Sequence, residues 1–213
     1  MKIGVIGSGI VGQQLGIGLT RLGHEVKIGT RDVSKLKDWL KQAGKKSSVG
    51  SNKDAASFGE VIFICTAWTG TENAINLAGK TNFAGKVVID VTNPLDFSQG
   101  SIPRIASTPE NSAGAQVQKW LPDSKVVKAF NIINAHTMIQ PKREEGMPDL
   151  IICGNDKNAK KVVSEFAKGW GWESIIDIGD ISKAYWLEAL TMLWVEYGFQ
   201  NNSWTHAFKL LKK

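Results

Sequence analysis

Seven short apolar runs punctuate the chain, at residues 2–7, 25–30, 61–66, 86–92, 125–130, 150–154 and 174–178. They are rich in Val and Ile, and within each run the apolar residues are continuous. A strand buried on one face alternates, whereas one covered on both faces does not, so the runs predict a parallel sheet between two helical layers. Between the runs lie segments with a helical period. Over residues 10–22, Val11, Leu15, Leu19 and Leu22 fall on one face, and similar patterns cover 33–42, 71–77, 112–120 and 158–170. Strand and helix alternate, which predicts right-handed crossovers and an α/β class: a doubly wound parallel sheet with extra C-terminal strands and a helical C-terminal segment. From 182 to 213 the pattern holds no strand and carries Trp186, Trp194 and Trp204. It reads as two helices hinged near 197–202, packed outside the sheet and against a second copy in a homodimer. The polar, Pro-containing stretch 141–148 suggests a border between a first region, 1–140, and a smaller one, 141–213, packed on the same sheet and completing the site.

Composition narrows the class. The chain is 42% hydrophobic and 22% charged, which excludes a disordered tail or a disulfide scaffold. No apolar run approaches the roughly 18 residues of a membrane span. Met1 leads straight into a strand pattern rather than a secretory leader. Cys65 and Cys153 sit inside apolar runs and read as buried, reduced thiols. The expectation is a cytoplasmic protein. The net charge of +6 is spread along the chain, so a small anionic ligand accounts for it better than a nucleic acid or a membrane.

The chemistry begins at Gly7-Ser8-Gly9-Ile10-Val11-Gly12, which follows the first strand and opens the first helix. That context makes the three glycines a dinucleotide turn of the Rossmann type: Gly7 for the bend, Gly9 for approach of the pyrophosphate to backbone, Gly12 for close packing of helix on strand. An NAD enzyme places an acidic residue at the end of the second strand. Here Thr30 stands there, followed by Arg31 and Lys35, which offer a hydroxyl and two cations to a 2'-phosphate. NADP is therefore favoured, with Asp32 reading as a helix cap.

Several segments together resemble the reductases similar to NADPH-dependent oxidoreductases of the deazaflavin coenzyme F420, a family that includes the cytoplasmic domain of flavin-using metalloreductases. They are the glycine turn, Gly29-Thr30-Arg31 with Lys35, Thr66-Ala67-Trp68, Val91-Thr92-Asn93-Pro94-Leu95, the segment 125–131 ending Lys128-Ala129-Phe130-Asn131, and Leu187-Glu188-Ala189-Leu190. The resemblance covers essentially the whole chain. It implies that hydride passes directly between nicotinamide C4 and a stacked tricyclic ring, with no catalytic acid, base, nucleophile or metal from the protein. It also implies that Thr66 and Ala67 lie along the NADP, while Trp68, Asn93, Pro94, Asn131 and Ile132 approach the nicotinamide and the second ring. That ring is coenzyme F420 or a flavin, FMN or FAD. Where the deazaflavin enzymes are expected to carry His, Asn131 places an amide, as the flavin-using relatives do, and Lys183-Ala184-Tyr185 is bulkier than the usual run.

Two other readings stay open from the residues alone. One is an NADP-dependent reductase of a small imine or ketone resembling pyrroline-5-carboxylate reductase, in which His136 would be a proton donor. The other is a binding module in which NADP regulates a partner without turnover. Lys128 and Asn131 have the spacing of a β-hydroxyacid dehydrogenase pair, but that pair needs a helix and this segment reads as a strand.

Overall fold

The structure, a computed structural model, describes residues 1–211. In chain order the strands are β1 (Lys2–Ile6), β2 (Glu25–Gly29), β3 (Ser47–Gly50), β4 (Val61–Ile64), β5 (Val87–Asp90), β6 (Leu95–Asp96), β7 (Arg104–Ile105), β8 (Lys125–Lys128), β9 (Asp149–Gly154) and β10 (Ser174–Asp177). The helices are α1 (Ile10–Arg21), α2 (Lys37–Ala43), α3 (Asn52–Phe58), α4 (Thr71–Ala78), α5 (Ala113–Trp120), α6 (Ala135–Met138), α7 (Lys157–Gly169) and α8 (Ala184–Asn201). The main sheet runs β10-β9-β8-β5-β4-β1-β2-β3, and β6 and β7 form a separate antiparallel hairpin. Among the described residues no helix is long and apolar enough to cross a membrane.

The expected doubly wound architecture follows from the double burial of its strands. In β1, Ile3 and Val5 join one core layer with Leu15 and Leu19 of α1, Trp39 of α2 and Val163 and Phe166 of α7. Ile6 joins the opposite layer with Ala55 of α3, Ile75 of α4, Val117 of α5 and Leu187 of α8. Asp32 is a cap as expected, accepting from the Ser34 amide at 3.0 Å.

Besides the short β6–β7 hairpin and α6, which the sequence reading did not mark, three features differ from it. Strand β3 and helix α3 are additions. Their apolar signal is faint because α3 seats two alanines, Ala55 and Ala56, against bare backbone: a Cβ on Gly4 would overlap the Ala55 carbonyl. The one sequence signal was the capping box of Ser51 and Asp54, which is formed.

The C-terminal strands are present but reversed. Strand β9 pairs antiparallel with β8, and β10 is parallel to β9. The link from β8 holds only the short α6 and a loop, so the chain re-enters the sheet from the edge it has just left. The start of β9 therefore lies at the carboxyl edge of the other strands.

The two-helix expectation for 182–213 is corrected, and its last two residues lie outside the described ones. A single helix of 18 residues ends at Asn202, which adopts a left-handed φ of 46°. Residues 203–211 then fold back along it without helix: Trp194 Nε1 donates to the His206 carbonyl at 2.9 Å, and the Asp149 amide to the Phe208 carbonyl at 3.0 Å. Trp204 fills the space at Gly198, where a Cβ would meet its ring at 2.6 Å.

Helix α8 is anchored by a buried charge cluster. Lys128, fully buried, donates to Asp90 Oδ2 at 2.9 Å and the Thr92 carbonyl at 2.6 Å, and lies 3.3 Å from Glu188 Oε1. Glu188 also accepts from Ser107 Oγ at 2.8 Å and from the Ala113 and Gly114 amides, each at 3.1 Å, at the start of α5. Burial alone would push the Lys128 pKa down, but the two carboxylates outweigh it and hold it above the usual lysine value. Lys128→Met would strand two carboxylates in the core and is expected to cost about 3–5 kcal/mol in urea unfolding. A loss below about 1 kcal/mol, the worth of an exposed pair, would show that the cluster does not hold the helix.

Candidate functional site

The carboxyl edge of β1, β2 and β4 opens into a cleft of about 470 Å³, within the range of small-molecule sites. Of the residues singled out by sequence it brings together Gly7, Ser8, Gly9, Thr30, Arg31, Lys35, Thr66 and Ala67. Each is placed by local structure. Gly7 has a φ of 116°, and a Cβ there would come within 2.7 Å of the Cys65 carbonyl, so only glycine makes this bend beside β4. Gly9 caps α1, and a Cβ there would meet nothing within 4 Å. Its bare backbone faces open space at the positive end of a 12-residue helix, as a bound phosphate requires. Gly12 is buried, and a Cβ on it would overlap the Gly7 carbonyl. Ile10 is exposed and Val11 packs on the core; with Gly12 they form the first turn of α1 but do not line the cleft.

Both walls are held by hydroxyl contacts. Ser8 Oγ and Thr30 Oγ1 lie 3.0 Å apart, and Thr66 Oγ1 and Thr71 Oγ1 2.8 Å apart. Arg31 and Lys35 are exposed, and neither is in a salt bridge among the described residues. Asp32 is occupied with Ser34, whose hydrogen bonds hold its carboxyl below the usual carboxylate range. Cys65 is buried at the floor, and burial raises its thiol pKa. These features fit a dinucleotide with an extra phosphate at the Arg31 end.

Sequence reasoning missed Asn52, which lies over Gly29 at the start of α3, and Asn73 and Leu77 on the cleft face of α4. Asn52 belongs to the segment whose apolar signal was faint. Asn73 and Leu77 are four residues apart, a spacing that puts them on one helical face, and the 54% exposure of Leu77 marks that face as uncovered.

The remaining residues lie further along the edge, outside this cleft. Trp68 is half-buried and stacks on Trp120 at 5.5 Å. Asn93 and Asn131 hold each other: Asn93 Nδ2 donates to the Asn131 carbonyl at 2.8 Å, and Asn131 Nδ2 to Asn93 Oδ1 at 3.0 Å. Asn131 Nδ2 also reaches the Leu187 carbonyl and Thr191 Oγ1 on α8, at 3.1 and 3.0 Å. The buried Asn131 amide thus faces its neighbours in the fold, while Asn93 is half-buried at the edge. Phe130 makes this turn possible with a φ of 62°, a left-handed conformation held by ring contacts with Trp170 and Trp172. Pro94 is buried, and Ile132 lines a narrow apolar pocket with Phe130 and Leu190. Lys128 serves the buried cluster and His136 is exposed on α6; neither lines the cleft.

Comparison with known proteins agrees with this geometry. Residues 2–94 match the family model described as NADP oxidoreductase coenzyme F420-dependent. The F420-dependent NADP reductase of Methanocaldococcus jannaschii is 32% identical over an alignment of 204 residues that covers 91% of this chain and 90% of that one. Rat metalloreductase STEAP3 is 29% identical over 90% of this chain, which spans only 36% of that protein. A crystal structure from Arthrobacter sp. FB24, provisionally described as an F420-dependent NADP reductase, superposes with a TM-score of 0.94, 34% identity and full coverage of both chains.

Arg31→Ala is expected to weaken NADPH at least about tenfold more than NADH in fluorescence titrations, the effect of losing a charge-assisted hydrogen bond. Equal weakening of both would show that Arg31 does not read the 2'-phosphate. Gly9→Val places a side chain in the open space of the turn, so calorimetry should detect no NADPH binding while the thermal midpoint stays near wild type. Retained affinity would remove the phosphate from this turn.

Proposed function

The chain belongs to the family of coenzyme F420-dependent NADP oxidoreductases, and on that premise we propose that it passes a hydride between NADP(H) and the ring of a deazaflavin or flavin. It is an NADP-dependent oxidoreductase. The observation that carries the reading is the cleft itself, with an open glycine turn between two cations that form no salt bridge among the described residues on one side and Thr66 and Ala67 on the other. In this reading Gly7, Ser8, Gly9 and the first turn of α1, Ile10, Val11 and Gly12, hold the pyrophosphate by backbone amides. Thr30, Arg31 and Lys35 hold the 2'-phosphate, and Thr66 and Ala67 line the path towards the nicotinamide. Bound NADPH supplies the hydride from nicotinamide C4. Trp68, Asn93, Pro94, Asn131 and Ile132 shape the continuation of the edge, where the second ring stacks.

The protein's contribution is spacing. The Asn93–Asn131–Thr191 lock ties the loops after β5 and β8 to α8, and an error of about 1 Å in such a stack can cost 10²-fold in rate. Residues 141–213 complete the acceptor end. We further assign the free thiols Cys65 and Cys153 to a cytoplasmic, reducing setting.

Helix α8 also exposes two large apolar side chains, Trp186 and Leu193, 59 and 57% exposed and seven residues apart, the spacing of a helix–helix seam. A second copy, paired antiparallel so that Lys183, just before each helix, approaches Glu196 of the other copy, would cover them in a homodimer. Sedimentation should then give a dimer that Leu193→Glu converts to monomer. A wild-type monomer at micromolar concentration would end this assignment.

The function is tested by NADPH oxidation against coenzyme F420, FMN and FAD. One of them should sustain turnover, with a rate that varies little between pH 6 and 8, and His136→Ala should retain most of it, whereas loss of a general acid costs about 10²–10⁴-fold. Deuterium placed on nicotinamide C4 should appear at C5 of a reduced deazaflavin without exchange. Turnover that is abolished by His136→Ala, or oxidation of NADPH only with imines or ketones, would replace ring-to-ring transfer with carbonyl or imine reduction.

A further inference from the structure

We propose that the protein has a second anion site, built on Arg143 and Lys209, that holds the phosphate-bearing tail of the ring acceptor. The proposal rests on the reading of the acceptor just given. A cavity of about 380 Å³ lies between the loop before β9 and the tail that folds back along α8. Its polar lining is Arg143, Lys209, Tyr197, Ser203, Thr205 and His206, with Glu145 as the one carboxylate.

Arg143 is under-satisfied. Its Nη2 donates to Thr137 Oγ1 at 3.3 Å, its Nε is buried with no partner, and no carboxylate pairs with it among the described residues. The Nη1 of Arg143 makes no hydrogen bond among the described residues and is not buried, so it is the group left to donate to a ligand. Lys209 Nζ donates to the Met147 carbonyl at 2.9 Å and stands 3.9 Å from Asp149. The hydroxyls of Tyr197, Ser203 and Thr205 make no hydrogen bond among the described residues. His206 is a wall and not a donor here, because its two ring nitrogens lie against the Ser203 and Trp194 carbonyls, at 3.0 and 2.8 Å. An arginine fork, an ammonium and three hydroxyls form the donor set that a phosphate or a cluster of carboxylates takes.

Position assigns the ligand. Along the carboxyl edge the order is Arg31 and Lys35 beyond β2, the glycine turn after β1, Thr66 after β4, Asn93 after β5 and Asn131 after β8. Because β9 is reversed, its start continues this edge, and the cavity adjoins it. The cavity shares Pro148, Ala207 and Phe208 with the narrow apolar pocket that contains Asn131 and Ile132. From β5 to β9 is two strand spacings, about 10 Å, the reach of a sugar-alcohol chain ending in phosphate. The 2'-phosphate of NADP and the tail of the acceptor would thus be gripped at opposite ends of one edge, with the two rings between them.

Riboflavin and FMN share a ring and differ by the phosphate, so equilibrium titrations of both, followed by flavin fluorescence, isolate the site. Coenzyme F420 and its tail-free chromophore provide the same contrast for a deazaflavin. The form with the tail should bind at least about tenfold more tightly, and Arg143→Gln and Lys209→Gln should each reduce that difference by about tenfold. Affinity for the tail-free ring and for NADPH should stay within about twofold. Rings that bind equally with and without the tail would overturn the anion site and leave the proposed reaction standing. If no flavin or deazaflavin binds in any form, the acceptor reading falls, and inorganic phosphate alone decides the site by NMR. Shifts of the Arg143 guanidinium and Lys209 signals in wild type, with the Lys209 shift lost in Arg143→Gln, would support the site, and their absence would overturn it.

Discussion

A lysine with no access to water governs where the last helix must lie. Lys128 sits at the end of β8 with Asp90 beside it and needs a second carboxylate; α8 supplies it through Glu188, which in turn occupies the amides at the start of α5. Removing either charge from its partners would leave the other in a medium that solvates it poorly. Satisfying Lys128 fixes the depth and rotation of α8. That rotation brings Thr191 onto Asn93 and Asn131, and it sets the surface along which the tail returns.

The polar side chains at the sheet edge therefore divide into two groups with different physics. Ser8, Thr30, Arg31 and Lys35 are exposed or half-exposed and free to meet a ligand. Asn131 and Thr191 are buried and hydrogen-bonded to one another, although Asn131 Oδ1 has no partner among the described residues. The second group is stiff because it is desolvated, which suits it to support the ring stacking proposed above.

Much of this was legible from residues alone, for reasons that can be named. Double burial of the strands left continuous apolar runs, and the bend at Gly7 left a glycine where no other residue fits. The cations Arg31 and Lys35 were visible because their position relative to β2 is fixed by the turn. Less legible was whatever depends on close backbone approach or on direction. Helix α3 packs through Ala55 and Ala56 against glycine and so presents no apolar face to read. The reversal of β9 leaves its own composition unchanged, since a strand covered on both faces is apolar whichever way it runs. The aromatic residues after Asn202 resemble a helix face but fill the groove of α8 as an extended segment. Asn93 and Asn131 were placed at the right edge, yet their pairing with each other follows from the left-handed turn at Phe130, which a phenylalanine in a sequence does not announce.

The sheet order also sets a schedule for synthesis. The first strand made, β1, ends in the interior, between β2 and β4. Ile3 pairs with Val61, and a ribosome adding about 5–20 residues per second delivers Val61 several seconds after Ile3. Half of β1 must wait that long with its amides facing water or a chaperone. Lys128 waits again, for a carboxylate carried on the last helix. The residues of the nucleotide turn are made first, and Glu188, the carboxylate that the charge cluster needs from α8, is made near the end of the chain.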